Sequence, residues 1–219
     1  MFTITIFFPD LSHYQAGLRI QPGTAAVLAK ATEGTGFIDA SYQDFKNQAA
    51  SVGAVFGAYH YLRDGNAYGQ AQFCYNVVGR TPLMLDWEAN SGNVSNAVSF
   101  ITAYRSLGGI INLYYLPHWY WQGTLGSPSL LPLNNLGLGL VSSNYTTYSD
   151  SGPGWNSYGG ATPVQWQYSD NYPYGGQHVD FNAFRGSQAE YAQLLGATTP
   201  FPPAPSYSQF VSMTPWRSK

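Results

Sequence analysis

Charge is what this chain has least of. Its 219 residues include 9 Lys or Arg and 11 Asp or Glu, 9% of all positions, where an ordinary soluble domain carries roughly 25%. With a net charge of −2 and no basic run, it offers no electrostatic footprint for nucleic acid or for an anionic membrane surface. A single cysteine, Cys74, excludes an intrachain disulfide framework and any multi-cysteine metal site. No stretch reaches the ~18 apolar residues of a membrane span. HExxH, CxxC, GxSxG and GKS/T are all missing, which leaves zinc peptidase, serine hydrolase and P-loop chemistry unsupported. His13, His118 and His178 show no metal spacing with one another or with the acids, so no metal and no cofactor is expected. The opening segment MFTITIFFPD has no Lys or Arg and alternates like a strand, unlike the positive start and longer apolar run of an export signal.

What is present is aromatic and small. Tyr 18, Phe 12 and Trp 6 supply 16% of the chain, Gly adds 24 residues, and 44% is hydrophobic. The core is therefore of ordinary size, and the polar surface must be built from Ser, Thr, Asn, Gln, Gly and Tyr. Low charge with many aromatics argues against disorder, and one domain of about 200 residues is expected.

Short apolar runs rich in β-branched and aromatic residues predict strands near 3–9, 25–30, 54–61, 82–88, 110–115, 137–142, 163–168 and 178–182. Helical patterns fall near 40–51, 67–79, 94–106 and 187–195. Asp39, Ser95 or Asn93, and Ser187 are candidate N-caps, with Gly53, Gly79 and Gly108 as stops. Strand and helix alternate through about residue 115, which reads as βαβ units and a parallel sheet. From 116 to 186 the links turn Gly-, Pro-, Ser-, Asn- and Tyr-rich. The expected fold is thus α/β: an irregular, TIM-like β/α barrel of eight strands whose second half is helix-poor. Residues 1–195 form the barrel in this reading. Residues 196–219, with five prolines, form a linker or tail, extended or folded back through Phe210 and Trp216.

Among the 11 acids, Asp10, Asp86, Glu88 and Asp180 sit at or just past the C-terminal ends of predicted strands, the face on which β/α barrels build active sites. Asp86 and Glu88, in LDWE, are two apart on an extended chain, so both point to one side with Cα atoms roughly 6–7 Å apart. Mutual repulsion and partial burial raise the pKa of at least one, as a general acid for a glycosidic oxygen requires; two solvated acids at a strand end would read the same way. Asp10 and Asp180, at opposite ends of the chain, approach each other only if the barrel closes. His60 lines a pocket or is a hydrogen-bonded barrel residue. Tyr59, Tyr61, Tyr114, Trp166 and Tyr168 lie near strand ends, where rings stack on sugar faces or simply pack. Cys74, in the apolar run AQFCYNVV, reads as buried and inert.

Six segments together resemble glycoside hydrolase family 25, the Chalaropsis-type lysozymes: DLSHYQ at 10–15, KATEG at 30–34, GAYHY at 57–61, LDWE at 85–88, WQY at 166–168 and VDFN at 179–182. They stand in the family's order and cover nearly all of residues 4–185. The resemblance implies an eight-stranded barrel with about five helices, acting as a lysozyme on bacterial peptidoglycan glycan strands. Glu88 matches the family's acid/base. Asp86 matches the residue that orients the 2-acetamido group for substrate-assisted attack, and Asp10 and Asp180 match two further acids of the site. Glu33 either touches substrate or supports Lys30. Two departures stand out. LGLVSSNY at 138–145 lacks the tryptophan the family often carries there, and Phe8-Pro9 replaces a Gly-hydrophobic pair before Asp10.

The expected activity is cleavage of the β-1,4 bond between N-acetylmuramic acid and N-acetylglucosamine, with retention, by a monomer that neither binds nucleic acid nor inserts into membranes. Two alternatives remain open: a non-catalytic wall-binding barrel, and a hydrolase of chitin-like glycans. The lack of an export signal fits a phage lysin that accumulates in the host cytoplasm before reaching the wall.

Overall fold

In the computed structural model, residues 4–197 are described. Among these described residues nine strands occur: β1 (Ile6–Leu11), β2 (Ala26–Glu33), β3 (Phe37–Ile38), β4 (Val55–Tyr61), β5 (Leu83–Asp86), β6 (Ile111–Tyr115), β7 (Gly139–Ser143), β8 (Pro163–Tyr174) and β9 (Gln177–Phe184). Strand pairing runs β1-β9-β8-β7-β6-β5-β4-β2, and β2 pairs back onto β1, closing an eight-stranded barrel with the two-residue β3 outside it. Six α-helices accompany the strands among the described residues: α1 (Tyr42–Val52), α2 (Ala67–Val78), α3 (Val94–Ser106), α4 (His118–Gly123), α5 (Leu131–Asn135) and α6 (Gln188–Leu195). The expected barrel and its thin second half are both present, since α4 and α5 have only 6 and 5 residues.

Sequence chemistry accounts for most helix ends. Asn93 caps α3 through its side chain and Ser187 forms a capping box with Glu190 on α6. Gly53 closes α1 in the left-handed region. Asp39 departs from its expected role, because the N-cap of α1 is Ser41. The Asp39 carboxylate instead accepts from the backbone N–H groups of Ser41 and His13, each at 2.9 Å, and contacts His13 Nδ1 at 2.8 Å.

The strand directions correct the sequence reading at one place that matters. All neighbours from β1 through β2 and β4 to β8 run parallel, but β9 is antiparallel to both β8 and β1. Strand β8 extends six residues beyond its expected end and returns through Gly175-Gly176, both at positive φ, as a two-residue hairpin turn demands. Asp180 therefore lies in the first half of a reversed strand rather than at a strand's C-terminal end, yet reaches the same mouth of the barrel.

Two apolar layers hold this frame. Phe8, Leu28, Met84, Leu113, Val141 and Phe184 point into the barrel, where Tyr191 and Leu195 of α6 close the lower end. Gly57 makes room for that plug, since a Cβ there would stand 2.7 Å from Leu28 Cδ2 and 3.4 Å from Leu195 Cδ1. The larger layer lies between the strands' outer faces and the helices and includes Trp87, Phe100, Tyr104, Tyr114 and Trp166.

Candidate active site

The mouth at the C-terminal ends of the parallel strands holds a cleft of about 200 Å³ lined by Asp10, Ser12, Tyr14, Lys30, Tyr59, Tyr61, Met84, Asp86, Glu88, Tyr115, Tyr145, Gln167 and Asp180. All four acids singled out from the sequence meet there. Asp86 ends β5 and Glu88 follows two residues on. Between them Trp87 is fully buried on the other side, its Nε1 donating to the Gly92 carbonyl at 2.9 Å. Closure of the barrel sets Asp10 directly opposite Asp180 in the β1–β9 register.

Burial dominates the electrostatics. It raises Asp86 well above the usual carboxylate range; the charge of Glu88 adds to this and Lys30 opposes it. Burial also raises Glu88. Asp180 is pushed up to about 9 by burial and then by the negative charges of Asp10 and Asp170. Asp10 is raised by burial too, against the pull of hydrogen bonds from Asn182 and Gln167. Asp86 Oδ1 is buried and no protein group among the described residues hydrogen-bonds to it.

Other residues named from the sequence fall elsewhere, and a period of two explains it. Tyr59 and Tyr61 face the cleft, so His60 between them faces the helices. It is fully buried, with Nδ1 2.7 Å from Thr32 Oγ1 and its ring stacked on Phe100, and burial lowers its pKa to about 3. Tyr115 and Gln167 line the cleft, which turns Tyr114, Trp166 and Tyr168 outward. Tyr114 and Trp166 are fully buried in the outer layer, where Trp166 Nε1 donates to the Asn144 carbonyl at 2.8 Å. Tyr168 packs against Phe7, Tyr148 and Phe181. These four residues are thus corrected to packing positions.

Glu33 does not line the cleft. It accepts from Lys30 Nζ at 2.6 Å and from Arg63 Nε at 3.0 Å. Burial alone would raise its pKa, but those two cations win and lower it. Lys30, whose ammonium also sits 4.9 Å from the Tyr61 ring centre, is the cation of the cleft. Cys74 is buried, and its thiol is pushed up to about 12 by burial, so it is no nucleophile.

The cleft residues that sequence reasoning missed are Ser12, Tyr14, Lys30, Met84, Tyr115, Tyr145 and Gln167. Alternation outward from Asp86 gives the inward parity of β5 only. Extending it to β6 and β8 needs the cross-strand register, which is a property of the closed barrel. Tyr145, after β7, comes from the very segment that lacks the family's tryptophan, and it still brings a ring to the cleft.

A β/α barrel that gathers buried acids at one mouth, in a cleft otherwise neutral and aromatic, belongs chemically with the glycoside hydrolases. Comparison with known proteins narrows this. Residues 10–177 match the model of Glycosyl hydrolases family 25, and the chain belongs to that family. It is 29% identical over 201 residues to an N,O-diacetylmuramidase of Chalaropsis sp., covering 79% of this chain and 92% of that protein. It is 28% identical over 147 residues to the autolytic lysozyme of Clostridium acetobutylicum, covering 60% and 45%. Among solved structures, a muramidase from Trichobolus zukalii superposes with a TM-score of 0.70 at 25% identity, covering 88% of this chain and 100% of that one.

Proposed function

We propose that this chain is a muramidase, hydrolysing the β-1,4 bond between N-acetylmuramic acid and N-acetylglucosamine of bacterial peptidoglycan with net retention. Relatives named as muramidases and lysozymes support the substrate class. The observation that carries the mechanism is the Asp86–Glu88 pair: two carboxyls at one strand exit, both raised by burial, with Asp86 Oδ1 lacking a donor among the described residues.

In this reading the acetamido oxygen of the bound sugar attacks C1 as the C1–O glycosidic bond breaks. Asp86 Oδ1 accepts the acetamido N–H, and Glu88 gives its proton to the departing oxygen. The resulting Glu88 carboxylate then takes a proton from water whose oxygen attacks C1, which opens the intermediate ring and restores the acetamide. Two inversions at C1 give retention. Asp10, Asp180 and Tyr59 complete the binding surface, and neither a metal nor a cofactor enters any step.

Glu88→Gln is the direct test. Release of reducing ends from purified cell walls should fall by about 10³-fold, with the melting temperature and circular dichroism unchanged. Mass spectrometry of wild-type products should show muropeptides with reducing N-acetylmuramic acid ends. Lysis by Glu88→Gln at the wild-type rate would overturn the assignment. Reducing ends on N-acetylglucosamine, or release from chitin oligomers alone, would move the substrate.

The same proposal takes residues 1–195 as the catalytic barrel and 196–219 as a Pro-rich tail; residues 198–219 lie outside the described residues. It takes the protein as a monomer that accumulates in the cytoplasm of an infected bacterium before release to the wall. Sedimentation and fractionation of an expressing host read these two directly.

A further inference from the structure

Asp10 is the end point of a hydrogen-bond chain that begins outside the cleft. Tyr191, on the plug helix α6, donates its O–H to Gln165 Oε1 at 2.8 Å. Gln165 Nε2 donates to Asn182 Oδ1 at 2.8 Å, and Asn182 Nδ2 donates to Asp10 Oδ2 at 2.6 Å. From the other side, Tyr115 and Tyr145 each donate to Gln167 Oε1 at 2.9 Å, which turns Gln167 Nε2 onto the same Asp10 Oδ2 at 3.0 Å. Every member except Tyr145 is buried.

The chain has a direction. Burial drives the ionisation of Tyr191 far above its usual range, so the phenol keeps the hydrogen that it donates to Gln165 Oε1. Each amide has one acceptor end and one donor end. Occupying the acceptor of Gln165, then of Asn182, leaves an N–H as the group presented to Asp10. Gln167 is set the same way by its two phenols. Two amide donors on one carboxylate oxygen favour the charged form of that acid.

No cation does this work. Among the described residues the ion pairs are His13–Asp39, Lys30–Glu33 and Arg63–Glu33. The groups around Asp10 are Asp180 on β9, Lys30 on β2, Tyr59 on β4, Asp86 and Glu88 from β5, Tyr115 on β6 and Tyr145 after β7. Asp170, on β8, adds its charge against Asp180. Asp86 and Glu88 are acids that oppose a charge on Asp10, whereas a hydrogen bond from Asp180 favours it. Among the described residues no amide donates to the acid facing it, Asp180, whose side-chain hydrogen bond is to Asp10 itself.

We infer that Tyr191, Gln165 and Asn182 are positioning residues: their directed hydrogen bonds, with Gln167, hold Asp10 as the ionised member of the Asp10–Asp180 pair and leave the proton on Asp180. This wall of the cleft thus presents one acceptor and one donor to the substrate, and the choice between them is made by a helix that never touches it. This inference builds on the carboxylate site proposed above, but its test reads protonation rather than turnover, so the two fail separately.

The experiment follows the ¹³Cγ resonances of Asp10 and Asp180 with pH in the full-length protein, without substrate. Asp10 should lose its proton at lower pH than Asp180. Tyr191→Phe keeps the ring packed between Phe8 and Phe184 while freeing Gln165 to turn. It should raise the Asp10 midpoint and lower that of Asp180. Asn182→Leu, which removes one donor outright, should raise the Asp10 midpoint by about one pH unit. If Asn182→Leu fails to fold, the wild type and Tyr191→Phe decide alone. A reversed order in the wild type overturns the inference, and so do midpoints that stay fixed in Tyr191→Phe.

Discussion

The two walls of the cleft obtain their acids in opposite ways. Asp86 and Glu88 stand two residues apart on one strand exit, so local geometry alone aims both at the same point. Asp10 and Asp180 come from the first and last strands and meet only because the barrel closes. The local pair keeps one bare atom: Asp86 Oδ1 has no donor among the described residues. The distant pair is dressed, with Asn182 and Gln167 both on Asp10. A bare buried acid is poised to exchange a proton or to receive a donor from substrate, whereas a dressed one is held in a single state. Chemistry on one wall and orientation on the other is the division that follows.

Amide substitutions separate the walls most strongly. Asp86→Asn puts an N–H donor or an uncharged oxygen where the acetamido N–H needs a carboxylate, and should cost about 10²-fold or more in kcat on cell walls. Its effect should fall short of that of Glu88→Gln, because the acetamido oxygen can still attack. Equal losses would deny the two acids separate roles. On the other wall the expectation is asymmetric. Asn resembles a protonated carboxyl and not a carboxylate, so Asp180→Asn should retain much more activity than Asp10→Asn. Equal retention would erase the difference between donor and acceptor.

The same asymmetry appears in stability. Asp180 titrates near 9 in the fold against an ordinary ~3.9 in an unfolded chain. The folded state therefore binds the extra proton between those limits, and stability from this group is lost as pH rises from about 4 to about 9. Asp180→Asn removes that loss. Its melting temperature relative to wild type should climb from pH 5 to pH 9, whereas a constant offset would mean that Asp180 is ionised throughout.

How far the sequence reveals such a site depends on the range of the interaction. The Asp86–Glu88 pair needs only an extended backbone, and the capping box of α6 needs only Ser187 and Glu190, so both are legible directly. Barrel closure is legible from the count of strands and, more firmly, from the six family-like segments. The reversal of β9 is not, because the polar SDNYPY stretch that carries β8 into the Gly175-Gly176 turn looks like loop. Inward parity is lost for a related reason. His60, Tyr114, Trp166 and Tyr168 carry the right chemistry for a sugar cleft, but each lies one residue out of phase with a less conspicuous neighbour. The amide chain from Tyr191 to Asp10 joins four elements and leaves no local trace at all.

His60 offers the mildest and cleanest contrast with the cleft acids, since it is buried like Asp10 and Asp86 but faces the other way. Burial lowers its pKa to about 3 from roughly 6.5 in an unfolded chain. Here the unfolded state is the one that binds more protons. The contribution is full above pH ~6.5 and is lost as pH falls toward 3, by on the order of 5 kcal/mol over the whole window. His60→Gln keeps a polar group near Thr32 and Gln70 but cannot take up a proton. It should lower stability slightly at pH 7, flatten the decline measured by urea unfolding between pH 6.5 and pH 4, and leave the pH profile of wall hydrolysis in place. A shifted activity profile would instead mean that this histidine communicates with the acids across the β4 backbone, and the separation between the barrel's two faces would not hold.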